Sequence, residues 1–550
     1  MSTTKSPVSR ILNLLKLERN EITAVYFYAI LNGLIQLSLP VGVQAIIGYV
    51  LGASMRASLV VLISLVVTGV LIAGILQINQ MKIIEKIQQK LFVRYSLAFA
   101  QHLPVLDLKK NDNVYLPELV NRFFDVPTLQ KSLSKILLEI PTAVIQILFG
   151  LILLSFYHPA FILFGIILVS ILILILKYTG GRGLQTSLEK SKYKYKVAAW
   201  LEEMARVIKS IKLSNNNDLH LRKADKEVSN YLDARNRHFN VLLFQFNVLV
   251  VFKTIITAAM LIVGTLLMVK QQLTVGQFIA AEIVILLVLN SVEKLIINLG
   301  SVYDTLTAVE KLSEITDKAI EKNGSIPLSP KNEGLKLELR DLSFGYNDEK
   351  NVLQQISLLI QPGEKVCITG KDSSGKSSLL KLMTGSYTDF QGAILVDDIP
   401  IGNYDLDSLR SHTGVLLGQQ DIFNGTVLEN ITMGNETISL EEVKESVRLA
   451  GLSDFIATLK EGFDSAIDPT GRRLPRNVVQ KILMARALAG KPRLLLLEEP
   501  WMNTREEQRK QLIDTLINLP HCTVVVVTND TEYTSRCSKV FELNETGSLK

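Results

Sequence analysis

The chain has 550 residues, 48% of them hydrophobic and 20% charged, with a formal net charge of +6. A mean hydropathy of +0.27 is too apolar for an ordinary soluble enzyme. Three cysteines, Cys367, Cys522 and Cys537, make no disulfide framework and carry no CxxC metal spacing.

Most of the apolar excess lies before Asp317, in runs at Ile22 to Val50, Leu59 to Ile78, Ile136 to Phe156, Phe161 to Leu176, Val241 to Val269 and Val275 to Leu299. A helix crossing the hydrocarbon core needs about 20 such residues, so these runs read as six spans, the short fourth one continuing helically past Lys177. The first run is too long for a signal h-region, lacks a small-residue cleavage pattern, and is read as a retained span. Basic residues concentrate in the N-terminal stretch (Lys5, Arg10, Lys16, Arg19) and in the long connections Lys82 to Lys135 and Lys177 to Arg237. The alternate connections (Gly52 to Arg56, Tyr157 to Pro159, Lys270 to Gln272) are very short. The positive-inside rule then puts both termini and the long connections in the cytoplasm. The positive charge is accounted for in this way and calls for no nucleic-acid partner.

Lys253, Glu282, Glu293 and Lys294 fall in or beside the last two spans and are expected to avoid lipid. Lys253 and Glu293 lie at similar depth, roughly 30 Å from the Gln271 turn at about 1.5 Å per residue. Solvation in a cytoplasmic extension of the helices is favoured there over a mutual ion pair, and Glu282 is the cavity candidate.

After Thr316 the composition turns polar, with Asn323, Gly324, Ser325, Pro327 and Pro330 marking a solvated linker over 318–334. The remainder, 335–550, alternates short β-rich and helical segments as an α/β domain does. Within it Gly370-Lys371-Asp372-Ser373-Ser374-Gly375-Lys376-Ser377-Ser378 fits G-x-x-x-x-G-K-[ST] between a strand-like run ending at Thr369 and the helical Leu379 to Met383. In such a loop backbone N–H groups face phosphates, Lys376 adds charge, and the Ser377 hydroxyl holds Mg²⁺. Gly370, Ser373, Ser374, Gly375, Lys376, Ser377 and Ser378 are therefore expected to bind a nucleoside triphosphate. Further on, Leu494 to Leu497 reads as a buried strand delivering Glu498 and Glu499 to its end.

Six spans followed by one such domain resemble the ATP-binding cassette exporters in half-transporter form, over essentially all 550 residues. The resemblance implies a multi-domain chain: a six-helix α-helical transmembrane domain of the type I exporter kind (1–317), the linker (318–334), and an α/β P-loop nucleotide-binding domain (335–550). It implies ATP and Mg²⁺ as cofactors, Tyr346 as the aromatic that stacks on adenine, and Glu498 at the magnesium-binding aspartate position. Glu499 matches the family's general base. Leu116 to Phe123 and Glu203 to Lys212 are similar to segments around the two coupling helices, and Gln277 to Leu312 is similar to the toxin and peptide secretion branch.

Other family elements are altered. Where L-S-G-G-Q is expected the chain has Leu474-Pro475-Arg476-Asn477-Val478, and Pro475 lacks both a hydroxyl and an N–H. Asn529 replaces the switch histidine, and Arg505 stands where an aspartate is usual. The magnesium-sensing glutamine position falls on Gly418, with Gln419 and Gln420 following; a one-residue shift gives Gln419 that role. The resemblance thus implies a homodimer, or a heterodimer with another half-transporter, in the cytoplasmic membrane and in contact with membrane lipids. Intrinsic hydrolysis is expected to be low. Cargo is expected to be a peptide or protein, with a lipid or small amphiphile as runner-up, and a membrane-fusion adaptor as a possible further partner. A hydrolysis-poor regulatory subunit is the alternative.

Overall fold

The computed structural model describes residues 6–51, 56–112, 114–214, 218–346, 351–418, 420–467, 474–502 and 504–549. The chain divides into two units, one of residues 1–104 and 114–318, the other of residues 105–113 and 319–550.

The first unit is helical, and six of its described helical segments are long and apolar enough to cross a membrane. The first segment is broken between Arg19–Gln36 and Ser38–Leu51. Pro40 has no N–H to offer the Gln36 carbonyl, so the ladder is interrupted there. Arg56–His102, Asp125–Tyr157, Ala160–Arg206 and Leu219–Val269 follow, and Val275–Ile297 continues after Asn298 as Leu299–Thr316. At about 1.5 Å per residue a 47-residue helix runs about 70 Å, more than twice the hydrocarbon thickness.

Close approach of these helices depends on small residues. A Cβ on Gly150 would lie 2.5 Å from a Val288 methyl carbon, and one on Gly183 would lie 2.2 Å from the Tyr303 ring. Buried amides join the helices: Gln146 accepts from the Ser291 hydroxyl at 2.8 Å, and Gln245 donates to Thr179 Oγ1 at 2.6 Å and to Tyr303 at 3.0 Å. Such bonds act as glue where lipid offers polar groups no alternative. Lys253 and Glu293 form an ion pair at 2.7 Å, correcting the expectation of separate solvation. Both side chains are only about one-third exposed, and at matching depth on adjacent helices each is the nearest means of neutralising the other. Glu282 is half-buried.

In the second unit the strands are β1 Leu337–Phe344, β2 Leu353–Ile360, β3 Lys365–Gly370, β4 Gln391–Val396, β5 Ile399–Pro400, β6 Thr413–Leu416, β7 Gly425–Thr426, β8 Ala466–Ile467, β9 Leu494–Glu498, β10 Thr523–Val527 and β11 Lys539–Leu543. A parallel sheet has the order β11-β3-β10-β9-β6, and an antiparallel one the order β2-β1-β4-β5. Because side chains alternate along a strand, the continuous apolar runs of β3, β9 and β10 feed two cores at once. Val366, Ile368, Leu494, Leu496, Val525 and Val527 face the antiparallel sheet, while Cys367, Leu495, Leu497, Val524 and Val526 pack on the helical side. The three cysteines are free thiols, Cys367 and Cys522 buried as small core residues.

The stretch expected as a solvated linker is instead held down on this unit. Gly324 donates to the Tyr404 carbonyl at 3.0 Å, Leu328 is buried, and Arg493 binds the Ser329 and Glu333 carbonyls at 2.9 and 2.7 Å. Only glycine fits at 324, where a Cβ would fall 2.2 Å from the Asn403 backbone. Residues 116–123, expected near the first coupling segment, fold within the helical unit, and the part of that connection belonging to the second unit is 105–113. It is tied there by main-chain bonds, Asp107 N–H to Ala319 O at 3.0 Å and Glu321 N–H to Val105 O at 2.8 Å.

Candidate functional site

Strand β3 ends at Gly370, and the chain turns through Ser373 before the helix Lys376–Met383 begins. Gly370 (φ 146°), Ser373 (φ 64°) and Gly375 (φ 96°) take positive φ, so the backbone curls tightly ahead of the helix N-terminus. Ser373 is the one of the three whose side chain opposes that conformation. Lys376 Nζ folds over the loop and donates to the Gly370 and Lys371 carbonyls, both at 2.6 Å. Ser374 is 2% exposed, and its hydroxyl has no hydrogen-bond partner among the described residues. A buried, unpartnered hydroxyl at a helix N-terminus beside a lysine fits an anionic ligand.

The carboxylates arrive from β9, which pairs in parallel with β10, itself the parallel neighbour of β3. Glu498 accepts from the Ser377 hydroxyl and from the Gly418 N–H, the latter at 2.9 Å. Ser377 and Glu498 are thus adjacent oxygen donors of the kind a hard divalent cation takes. No cluster of three or more His, Cys, Asp or Glu side chains able to hold a metal exists among the described residues. A cation there would therefore need oxygens from its ligand as well. Gln419 lies outside the described residues; its neighbour Gln420 turns back, its Oε1 accepting the Leu417 N–H at 3.1 Å.

Glu499 has φ 41°, a strained value for a glutamate at the end of a strand. Its Oε2 accepts from the Thr528 hydroxyl at 3.0 Å. Burial raises the Glu499 carboxyl above its ordinary range, opposed by the Thr528 and Asn529 hydrogen bonds and by the charge of Lys376. Asn529 Oδ1 accepts the Gly370 N–H at 3.3 Å, which ties the end of β10 to the start of the loop.

Tyr346 stands edge-on to Phe344 at 5.0 Å and to Tyr387 at 5.9 Å, and its hydroxyl shares a hydrogen bond with Ser378 at 2.9 Å. The tyrosine is thereby joined to the first turn of the loop's helix. Lys109, from the segment 105–113, lies 5.3 Å from the Phe344 ring centroid and bonds Asp389 Oδ2 at 3.0 Å. Burial is the main cause that pushes the Tyr387 hydroxyl up to about 12. Neither Lys109 nor Thr528 was singled out by sequence reasoning. A threonine following the valine run Val524 to Val527 that ends β10 was the available signal for the second, whereas nothing local marks the first.

Elsewhere the arrangement is sparse. The helix Arg476–Leu488 starts from Pro475 with no side-chain cap, and Arg476 is exposed. Trp501 packs on Tyr533 at 5.4 Å, and Arg505 is exposed.

Two family models match the sequence: "ABC transporter transmembrane region" over residues 22–292 and "ABC transporter" over residues 353–502. The alpha-hemolysin translocation ATP-binding protein HlyB of Escherichia coli O157:H7 is 29% identical over 303 residues, covering 55% of this chain and 43% of that protein. The ATP-dependent lipid A-core flippase of Saccharophagus degradans is 33% identical over 214 residues, covering 39% of this chain and 36% of the other. The solved structure of a bacterial Atm1-family ABC exporter with ATP bound shares the fold, with a TM-score of 0.86 and 18% identity over 96% of this chain and 94% of that one. The alignments span roughly two-fifths of the length of the curated relatives.

Proposed function

This chain belongs to the ABC transporters, as a multi-pass membrane protein with an ATP-binding cassette, and we propose that it is a half-transporter exporting cargo across the cytoplasmic membrane as a dimer. The observation that carries the reading is that Lys376, Ser374, Ser377, Glu498 and Glu499 come together at the ends of β3 and β9. Bound ATP supplies the phosphoanhydride whose hydrolysis drives the cycle, with Mg²⁺ neutralising phosphate charge. The loop amides, Lys376 and the Ser374 hydroxyl hold the phosphates. Ser377 and Glu498 hold the cation, with Gln419 proposed as a further donor. Tyr346 stacks on the base, and Glu499 takes the proton of the attacking water.

The cargo assigned is a peptide or protein, after the translocation role in the name of the haemolysin relative. A lipid is the second choice, after the named flippase.

A specific observation favours the hydrolysis-poor form of this reading. Asn529 spends its side-chain oxygen on Gly370 within its own subunit, and Pro475 and Arg476 occupy the helix start that would face a partner's nucleotide. Mass photometry with ATP and Mg²⁺ should show dimers, and monomers alone at micromolar protein would refute the assembly. Steady-state ATPase in lipid should be slow. Turnover by the homodimer at about 1–10 per second, abolished by Glu499→Gln, would establish a conventional homodimeric exporter instead.

A further inference from the structure

We infer that Thr528 is a positioning residue for Glu499: its hydroxyl holds one carboxylate oxygen so that the other is presented to the reacting water. The inference rests on the reading of Glu499 as the general base. Thr528 is fully buried at the end of β10, and its backbone is anchored by its own N–H to Ile368 O at 3.2 Å. Its hydroxyl donates to Glu499 Oε2 at 3.0 Å while accepting the Asp530 N–H at 3.1 Å. With the Asp530 amide occupying a lone pair, the single hydroxyl proton is directed at the carboxylate, so donor and acceptor roles are not interchangeable.

The constraint matters because the charge of Lys376 attracts the Glu499 carboxylate, and the Thr528 hydroxyl, together with the Asn529 hydrogen bond, holds it against that pull. A carboxylate drawn to Lys376 would be a poor base. The sequence supports the loop from outside as well: Arg509 pairs with Asp530 Oδ2 at 2.5 Å and with Glu532 at 3.0 Å, fixing the turn that delivers the Asp530 amide. Thr528 is fully buried, so its hydroxyl acts through Glu499.

The test is a double-mutant cycle on the full-length protein in lipid, read as single-turnover hydrolysis with enzyme in excess, which resolves slow rates. Thr528→Val keeps the shape and removes the donor; Thr528→Ser keeps the donor. Expected are a maximal rate lowered about tenfold or more in Thr528→Val at an unchanged half-saturating enzyme concentration, recovery to within about threefold in Thr528→Ser, and no further loss from Thr528→Val in the Glu499→Gln background. Calorimetry should give the same ATP affinity for wild type and Thr528→Val, and a high-resolution structure of Thr528→Val should show the Glu499 carboxylate displaced. A Thr528→Val protein as fast as wild type, while Glu499→Gln is slow, overturns this inference alone, as does an additive loss in the double variant. Wild type and Glu499→Gln hydrolysing equally fast would remove Glu499 as base and this inference with it. Loss of ATP affinity in Thr528→Val, unrescued by Thr528→Ser, would assign the residue a folding role and refute the proposal.

Discussion

The loop after β3 and the start of the helix Arg476–Leu488 lie in one domain, yet they differ in how firmly the chain itself holds them. Around the loop, Ser377 bonds Glu498 and Thr528 bonds Glu499, while Lys376 and Asn529 are tied to the Gly370 main chain. At the helix start, Pro475 supplies no cap bond and Arg476 projects outward. A site that grips a ligand within one subunit can be completed by local geometry. On the proposed reading the helix start closes on a second subunit, and Pro475 and Arg476 offer a partner's phosphate neither a hydroxyl nor glycine amides there. The difference separates binding from turnover.

The largest effect should come from removing the charge inside the loop. Lys376→Ala is expected to weaken ATP binding about 100-fold by calorimetry, the loss of charge-assisted hydrogen bonds to phosphate. Unchanged affinity would erase the contrast, since the loop would then not be the binding side. Glu499→Gln should lower the residual hydrolysis about 100-fold while leaving affinity within about twofold, separating the two functions inside the well-held side itself.

The poorly held side can be repaired rather than broken. Combining Pro475→Ser, Arg476→Gly and Asn477→Gly restores a hydroxyl and glycine amides at the helix start, and ATPase should rise about tenfold or more. No rise would mean that the Asn529 and Gly418 positions, and not this helix start, limit turnover. Tyr346→Ala should weaken ATP binding by about tenfold or less, because stacking adds only about 0.5–1.5 kcal/mol beyond buried area. The smallest effect lies in the membrane unit. The coupling between Lys253→Met and Glu293→Gln in thermal stability should be about 0.5–1 kcal/mol, as both groups remain partly exposed. A zero coupling would return the pair to simple solvation.

Six apolar runs, the glycine- and serine-rich loop before a helix, and the apolar strand ending in two glutamates are local signals, and local physics sufficed to read them. Hydrocarbon thickness sets the length of a span, positive φ selects small residues, and burial on both faces of a strand demands a continuous apolar run. The sequence by itself therefore determined the order of domains, the glycine- and serine-rich turn before its helix and the paired carboxylates at a strand end. Tertiary structure alone decided which groups meet across the chain: Thr528 with Glu499, separated by 29 residues, Lys109 with Asp389, separated by 280, and Lys253 with Glu293, separated by 40. It also decided that the stretch before Leu335 is docked, because Leu328 and the Arg493 contacts hold a segment whose composition is that of a loop. Hydrogen bonds and ion pairs of this kind have no period and no fixed spacing. They depend on which strand ends and helices the sheet order brings side by side, and that order is a property of the packed whole.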